Sequence, residues 1–156
     1  MIKPITRRIY RGGLRDLAAG DLDRVLARFD PRCTLTFVGD TPLGAQLSSP
    51  GDIRLWFERF TRLLPDPTFD IQRVAVSGPP WNLQLAAHVR IRATVVGEPY
   101  ENDFAHFLRL RWGKVVDDLI LEDTQRWARA CERLAAAGIA EAAEPPMVNS
   151  ISLVTA

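Results

Sequence analysis

Between Thr6 and Phe29 the apolar residues Leu14, Leu17, Ala18, Leu22, Val25, Leu26 and Phe29 recur at spacings of three and four, the stripe of an amphipathic helix. Gly12 and Gly13 weaken it, and Gly20 followed by Asp21 divides it, since glycine ends a helix easily and aspartate caps the next one. Two helices at an angle are expected. Asp30-Pro31 ends the second, because a residue before proline is driven out of the helical region. Residues 33–38 then alternate, with Cys33, Leu35 and Phe37 on one side and Thr34, Thr36 and Val38 on the other, as in a half-buried strand. Residues 39–49 read as a loop. Ser49-Pro50 supplies an N-cap and a first-turn proline, and Ile53, Trp56, Phe57, Phe60, Leu63 and Leu64 make a strongly apolar helix that Pro65 and Pro67 stop.

The second half is strand-rich. Residues 69–76 alternate and end in Ser77-Gly78-Pro79-Pro80, which forces a turn. In residues 83–96 the odd positions from Leu83 to Val95 are all apolar, while the even ones include Gln84, His88, Arg90, Arg92 and Thr94. In residues 102–112, Phe104, His106, Leu108, Leu110 and Trp112 share a side. Trp112-Gly113-Lys114 reads as a tight reversal. Residues 114–122 are apolar on both faces, the mark of a central strand. Asp123 caps a helix over 125–137 that ends at Gly138. The predicted order is helix, helix, strand, helix, four strands and a closing helix. That is one α+β domain over 1–137, a curved sheet whose hollow holds helices or a ligand. Residues 138–156 form an extension expected to pack on its own or a partner subunit.

Composition narrows the partners. Of 156 residues, 47% are hydrophobic and 25% charged, which indicates neither disorder nor a membrane span. Twenty basic against nineteen acidic residues leave a net charge of +1, so nothing attracts nucleic acid or an anionic membrane. The basic N-terminus has no apolar run behind it, and a cytoplasmic location is the expectation. Cys33 and Cys131 read as buried free thiols. There is no glycine-rich phosphate loop, no nucleophile elbow and no metal-ligand spacing, so neither metal nor cofactor is expected.

Two stretches resemble the nuclear transport factor 2 superfamily. AAGDLDRVLARFDPRCTLTFVGDTPLG is similar to its helix pair and first strand, and RLRWGKVVDDLILEDTQ to its last two strands. The resemblance implies a cone, a bent mixed or antiparallel sheet wrapped by three to four helices around a deep apolar pocket, commonly in a homodimer. Members include ketosteroid isomerases, limonene epoxide hydrolases, SnoaL-like polyketide cyclases, dehydratases and proteins that only bind or assemble, so fold alone leaves function open. Phe37 stands where the isomerases place their base, and Gly13 near their first-helix tyrosine with Tyr10 one turn away. His106 stands where their protonated acid sits. Neither 88–90 nor 90–92 supplies the carboxylate of the epoxide hydrolases' Arg-x-Asp pair, and Ile120 replaces their later aspartate. Neither mechanism carries over intact.

Candidate chemistry therefore gathers on a few residues. His106, on an otherwise apolar strand face, is either a general base or acid or a core histidine bonded to a neighbour. Asp118 and Glu122 share a face with Val116 and Ile120. If that face lines the pocket, desolvation raises a carboxyl pKa; otherwise both are solvated. His106 with Asp118 resembles the His and Asp of SnoaL-like cyclases. Asp40 reads as reaching the pocket mouth or, more simply, forming a turn. Tyr10, Phe37, Trp56, Phe60, Phe104 and Trp112 are candidate wall residues for a hydrophobic ligand. His88, Arg90, Arg92, Arg109 and Arg111 form an outward cluster able to pair with Glu101 and Asp103. The expectation is a cofactor-independent cyclase, isomerase or dehydratase working by proton transfer. A non-catalytic binding or assembly domain and a hydrolase of epoxides are the alternatives.

Overall fold

Alternating apolar residues dictate a sheet that is dry on one side only, and the chain curls that side inward. The structure is a computed structural model that describes residues 2–150. Its elements are α1 (Ile2–Ala18), α2 (Leu22–Leu26), β1 (Phe29–Phe37), β2 (Ala45–Leu47), α3 (Pro50–Leu63), β3 (Thr68–Ser77), β4 (Leu83–Val95), β5 (Glu98–Arg111), β6 (Lys114–Glu122), α4 (Thr124–Ala136) and β7 (Met147–Val148), with a 3₁₀ turn at Ala140–Ala143. The seven strands form one mixed sheet in the order β3-β4-β5-β6-β1-β2-β7. Only the β1–β6 and β2–β7 pairings are parallel. The bent sheet wrapped by helices is the cone that the sequence predicts.

β4 and β5 pair along their whole lengths, from Leu83 opposite Leu110 to Val95 opposite Glu98. A two-residue turn joins them, with Val96 at φ 51° and Gly97 at φ 74°; positive φ at both positions matches the twist of a hairpin. The odd positions of β4 face the core, Val89 and Val95 being fully buried. On the outer face Asp103 binds His88 at 3.0 Å and Arg90 at 3.2 Å, and Glu101 binds Arg92 at 2.7 Å.

β6 resolves the ambiguity of its pattern with a bulge. Arg109 pairs with Asp117 and Leu110 with Val115, so Val116 is an extra residue. Because a strand alternates with period two, one inserted residue reverses the phase. Val115 faces inward before the bulge, and Asp118 and Ile120 face inward after it.

Several sequence boundaries move. α1 runs unbroken through Gly12 and Gly13, against which the Arg28 guanidinium lies; a Cβ at Gly12 would meet Arg28 Nη2 at 3.3 Å. Asp30-Pro31 lies inside β1 rather than at a helix end, in a stretch where the β1–β6 register breaks between Phe29 and Thr34. Proline offers no ladder donor, which suits it to such an irregularity. The expected loop at 39–49 contains β2. The extension also folds back: Met147 N–H donates to Gly44 O at 2.8 Å, and Asp52 accepts from Ser150 N at 2.9 Å and Ser150 Oγ at 2.5 Å. Residues 151–156 lie outside the described residues.

Arg59 fastens this return. It donates to Pro42 O at 2.9 Å and Pro145 O at 3.3 Å and pairs with Glu144 at 2.5 Å and Glu141 at 3.4 Å. Arg59→Ala is expected to destabilise the chain by about 1–3 kcal/mol in urea unfolding, because it strips donors from two carbonyls and a cation from two carboxylates. An unchanged midpoint would mean that the strand pairing and the Asp52–Ser150 hydrogen bonds hold the extension without Arg59.

Candidate active site

The aromatic residues of α3 and the inner strand faces form a continuous wall. Ring centroids step from Phe37 to Trp56 (5.6 Å), Phe60 (5.9 Å), Phe69 (6.5 Å), Phe104 (6.2 Å), His106 (5.9 Å) and Tyr10 (5.5 Å). Trp56 Nε1 donates to Leu43 O at 2.7 Å, so the indole is fixed in orientation. Next to this wall lies a cavity of two adjoining lobes. The outer lobe, about 80 Å³, is lined by α1 on one side and by the inner faces of β5 and β6 on the other, with Arg28 between α2 and β1. The inner lobe, about 60 Å³, is lined by α3, Phe37, Phe69, Tyr100, Phe104 and Glu122. Leu14, Leu17, Phe57, His106 and Asp118 line both.

The shared boundary is where polar chemistry concentrates. His106 on β5 faces Ile120 on β6, and Asp118 lies one pleat along. His106 Nε2 lies 2.7 Å from Asp118 Oδ1, and His106 Nδ1 lies 2.9 Å from the Tyr10 hydroxyl. The His106 and Asp118 side chains are 12% and 4% exposed, so the three groups meet almost without water. A carboxylate only accepts, so the ring hydrogen sits on Nε2, and Nδ1 presents its lone pair to the Tyr10 hydroxyl, which donates. Burial, and after it the Asp118 charge, push the Tyr10 pKa well above the usual phenol range. Tyr10 is therefore a neutral hydroxyl and never a free tyrosinate.

Glu122 is the second inward carboxyl. Its Oε2 accepts from Asn102 Nδ2 at 3.3 Å, and its Oε1 is sealed from solvent without a partner. Burial is the main cause that raises its pKa to about 8, followed by the neighbouring Asp123 charge; the Asn102 hydrogen bond opposes them. Burial likewise lifts the Cys33 and Cys131 thiols to about 12, which removes both as nucleophiles.

The structure thus gathers Tyr10, His106, Asp118, Glu122, Phe37, Trp56, Phe60 and Phe104 around one cavity. It corrects two placements. Asp40 is exposed in the loop after β1 and lines neither lobe. Trp112 is 69% exposed and packs against Trp81, ring centroids 5.9 Å apart and tilted by 45°. It occupies the β5–β6 turn at φ 50°, beyond the point where strand alternation applies. Sequence reading missed Asn102, fully buried, which bonds Tyr100 Oη, Glu122 and Asp123 O. Its signal was present: it shares the inward phase of Phe104 and His106. Arg28 was also missed, since contact with α1 brings it to the outer lobe. Among the described residues no three His, Cys, Asp or Glu side chains stand close enough to hold a metal ion, and no helix is long and apolar enough to cross a membrane.

A family model described as a SnoaL-like domain matches residues 10–118. Among solved structures, PrhC from Penicillium brasilianum superposes with a TM-score of 0.74 at 20% identity, covering 88% of this chain and 92% of that one. A putative polyketide cyclase from Acidithiobacillus ferrooxidans gives 0.67 at 16% identity, over 85% and 96%. IdmH, a putative polyketide cyclase from Streptomyces antibioticus, gives 0.65 at 16% identity, over 83% and 98%. At these identities the superpositions speak to fold alone. No curated protein sequence matches the chain.

Proposed function

The chain belongs to the SnoaL-like domain family, and from that membership together with the His106 geometry we propose that it is a cofactor-independent enzyme moving protons on a hydrophobic carbonyl compound, as in a cyclisation, isomerisation or dehydration. The observation that carries this reading is the Tyr10–His106–Asp118 chain, whose His106 and Asp118 line both lobes and whose Tyr10 lines the outer one. Each ring nitrogen of a buried histidine needs a partner, which a backbone carbonyl or amide can supply; what sets His106 apart is the identity of its two partners. This ring has a carboxylate on one nitrogen and, on the other, a hydroxyl that itself lines the cavity.

In the proposed step, Asp118 holds the Nε2–H tautomer and favours the imidazolium that forms when Nδ1 takes a proton. The Tyr10 oxygen accepts the ligand's acidic hydrogen while its own hydrogen passes to Nδ1, so bonds made and broken balance and no tyrosinate accumulates. The electron pair left on carbon moves to the carbonyl oxygen as an enolate, and the reverse transfer returns the proton at a different atom. Apolar walls exclude competing water. The lobes together approach the volume that holds a single aromatic ring. A larger ligand would require α1, which supplies one wall of the outer lobe, to move outward.

Cyclohexanone in deuterated buffer tests the reading. Wild-type protein is expected to accelerate deuterium incorporation at the α-carbon, followed by NMR, and Tyr10→Phe to slow it about a hundredfold with no change in fold. Equal rates with and without the protein would count against proton transfer and favour a binding domain.

A further inference from the structure

Glu122 is not part of the Tyr10–His106–Asp118 chain, yet its carboxyl also reaches the inner lobe, beside the neutral Tyr100 hydroxyl. The surroundings of that lobe are aromatic and aliphatic: Phe37, Trp56, Phe60, Phe69, Phe104 and Ile91 among them. Asn102 binds Glu122 Oε2 and is itself pinned, its Oδ1 accepting from Asp103 N at 2.9 Å and its amide bonding Asp123 O at 3.0 Å. One carboxyl oxygen is thus held in place and the other, Oε1, is buried with nothing to bind. An orphaned buried polar atom is costly. Apart from His106, Asp118 and the Tyr100 hydroxyl the lobe is lined by hydrocarbon, and it gains nothing by keeping an orphaned oxygen unless something fills the gap.

We propose that the inner lobe is a recognition subsite for a neutral oxygen acceptor, the ketone, ester or ether oxygen of an otherwise hydrophobic ligand, with the Glu122 carboxylic acid donating to it from Oε1. Because Oε2 accepts from Asn102, the acid's hydrogen belongs on Oε1. Glu122 lies opposite Phe104, and His106 opposite Ile120; the two groups are one pleat apart, roughly 7 Å along the strands. The substrate class becomes a hydrophobic compound with two oxygen functions about one six-membered ring apart. One is anchored by Glu122 and the other activates the carbon next to Tyr10. The pairing of the two functions rests on the proton-transfer reading; the Glu122 subsite does not. Raised to about 8, the Glu122 pKa keeps the donor hydrogen in place at neutral pH.

The groups facing Glu122 are Tyr100 and Asn102 from β5, Asp123 and Cys131 at and within α4, and His106 and Asp118 around the cavity. Burial raises Tyr100 and Cys131, so both stay neutral across the window of interest. The test measures binding of cyclohexanone, a pure acceptor, and cyclohexane, which has no polar atom, by NMR titration. Glu122→Leu is expected to weaken cyclohexanone about tenfold without weakening cyclohexane. Glu122→Gln, which keeps a neutral donor of the same shape, is expected to retain wild-type affinity. In wild type, and equally in His106→Gln, cyclohexanone affinity should fall several-fold as pH rises through about 8, whereas Glu122→Gln should be flat. If Glu122→Leu binds cyclohexanone as wild type does, or the pH dependence survives in Glu122→Gln, the subsite is overturned. Because His106→Gln removes the proton-transfer base while sparing Glu122, loss of exchange with retained binding would separate the two proposals.

Discussion

His106→Gln is expected to lower α-deuteration of cyclohexanone by roughly 10²–10⁴-fold while the protein stays folded. Glutamine can still donate an amide hydrogen to Asp118, so the buried carboxylate keeps a partner, but no nitrogen in the side chain accepts a proton at neutral pH. His106→Ala is the less informative change. It leaves Asp118, 4% exposed on its side chain, with no donor from this ring, and removing one member of a buried pair costs about 3–5 kcal/mol. Its activity loss would mix chemistry with unfolding. The rate of exchange per folded molecule, with circular dichroism to confirm the fold, distinguishes the cases. Full activity in His106→Gln would transfer the chemistry away from β5 and leave the Tyr10 hydrogen bond as a packing feature.

Removing the Glu122 charge is expected to reshape the stability profile as strongly as removing His106 reshapes activity. Its folded-state value of about 8 lies above the ordinary 4.5. The native protein therefore holds that proton more tightly than the unfolded chain does, and stability attributable to Glu122 is complete below about pH 4.5. It declines as pH rises to about 8 and then levels off, by up to roughly 5 kcal/mol in all. Glu122→Gln has no such proton to lose. Urea unfolding at pH 5, 7 and 9 should show the variant and wild type nearly equal at the lowest pH, with the variant ahead by up to that amount at the highest. Other titrating groups act on both proteins and cancel in the difference. Parallel curves would mean that water reaches Oε1 and that the inner lobe is not the dry place described above.

Both effects were partly legible from local pattern. The phase of Phe104, His106, Leu108 and Leu110 is enough to put an imidazole on the inward face of β5, because strand alternation carries over from one residue to the next but one without reference to the rest of the fold. The same rule correctly sends His88, Arg90 and Arg92 outward. It fails at Trp112, where the chain leaves the strand for the turn. It gives no answer in β6, where a single inserted residue, Val116, changes which acids face the cavity. Asp40 illustrates a different failure: proximity to a strand end says nothing about whether a loop bends over the pocket or away from it.

What the residues determined by themselves was the order of the four helices and five long strands, the inward set of those strands and the caps at Ser49 and Asp123, all consequences of interactions within a few residues; the short β2 and β7 were not among them. Only the tertiary structure decided that β1 lies parallel beside β6, that α1 brings the Tyr10 hydroxyl to within 2.9 Å of His106, and that the chain after α4 returns to pair with β2. These contacts join residues up to about a hundred positions apart. The loop closures that allow them are stabilised by the burial of the whole core rather than by any local preference, so no short stretch of the chain contains the information.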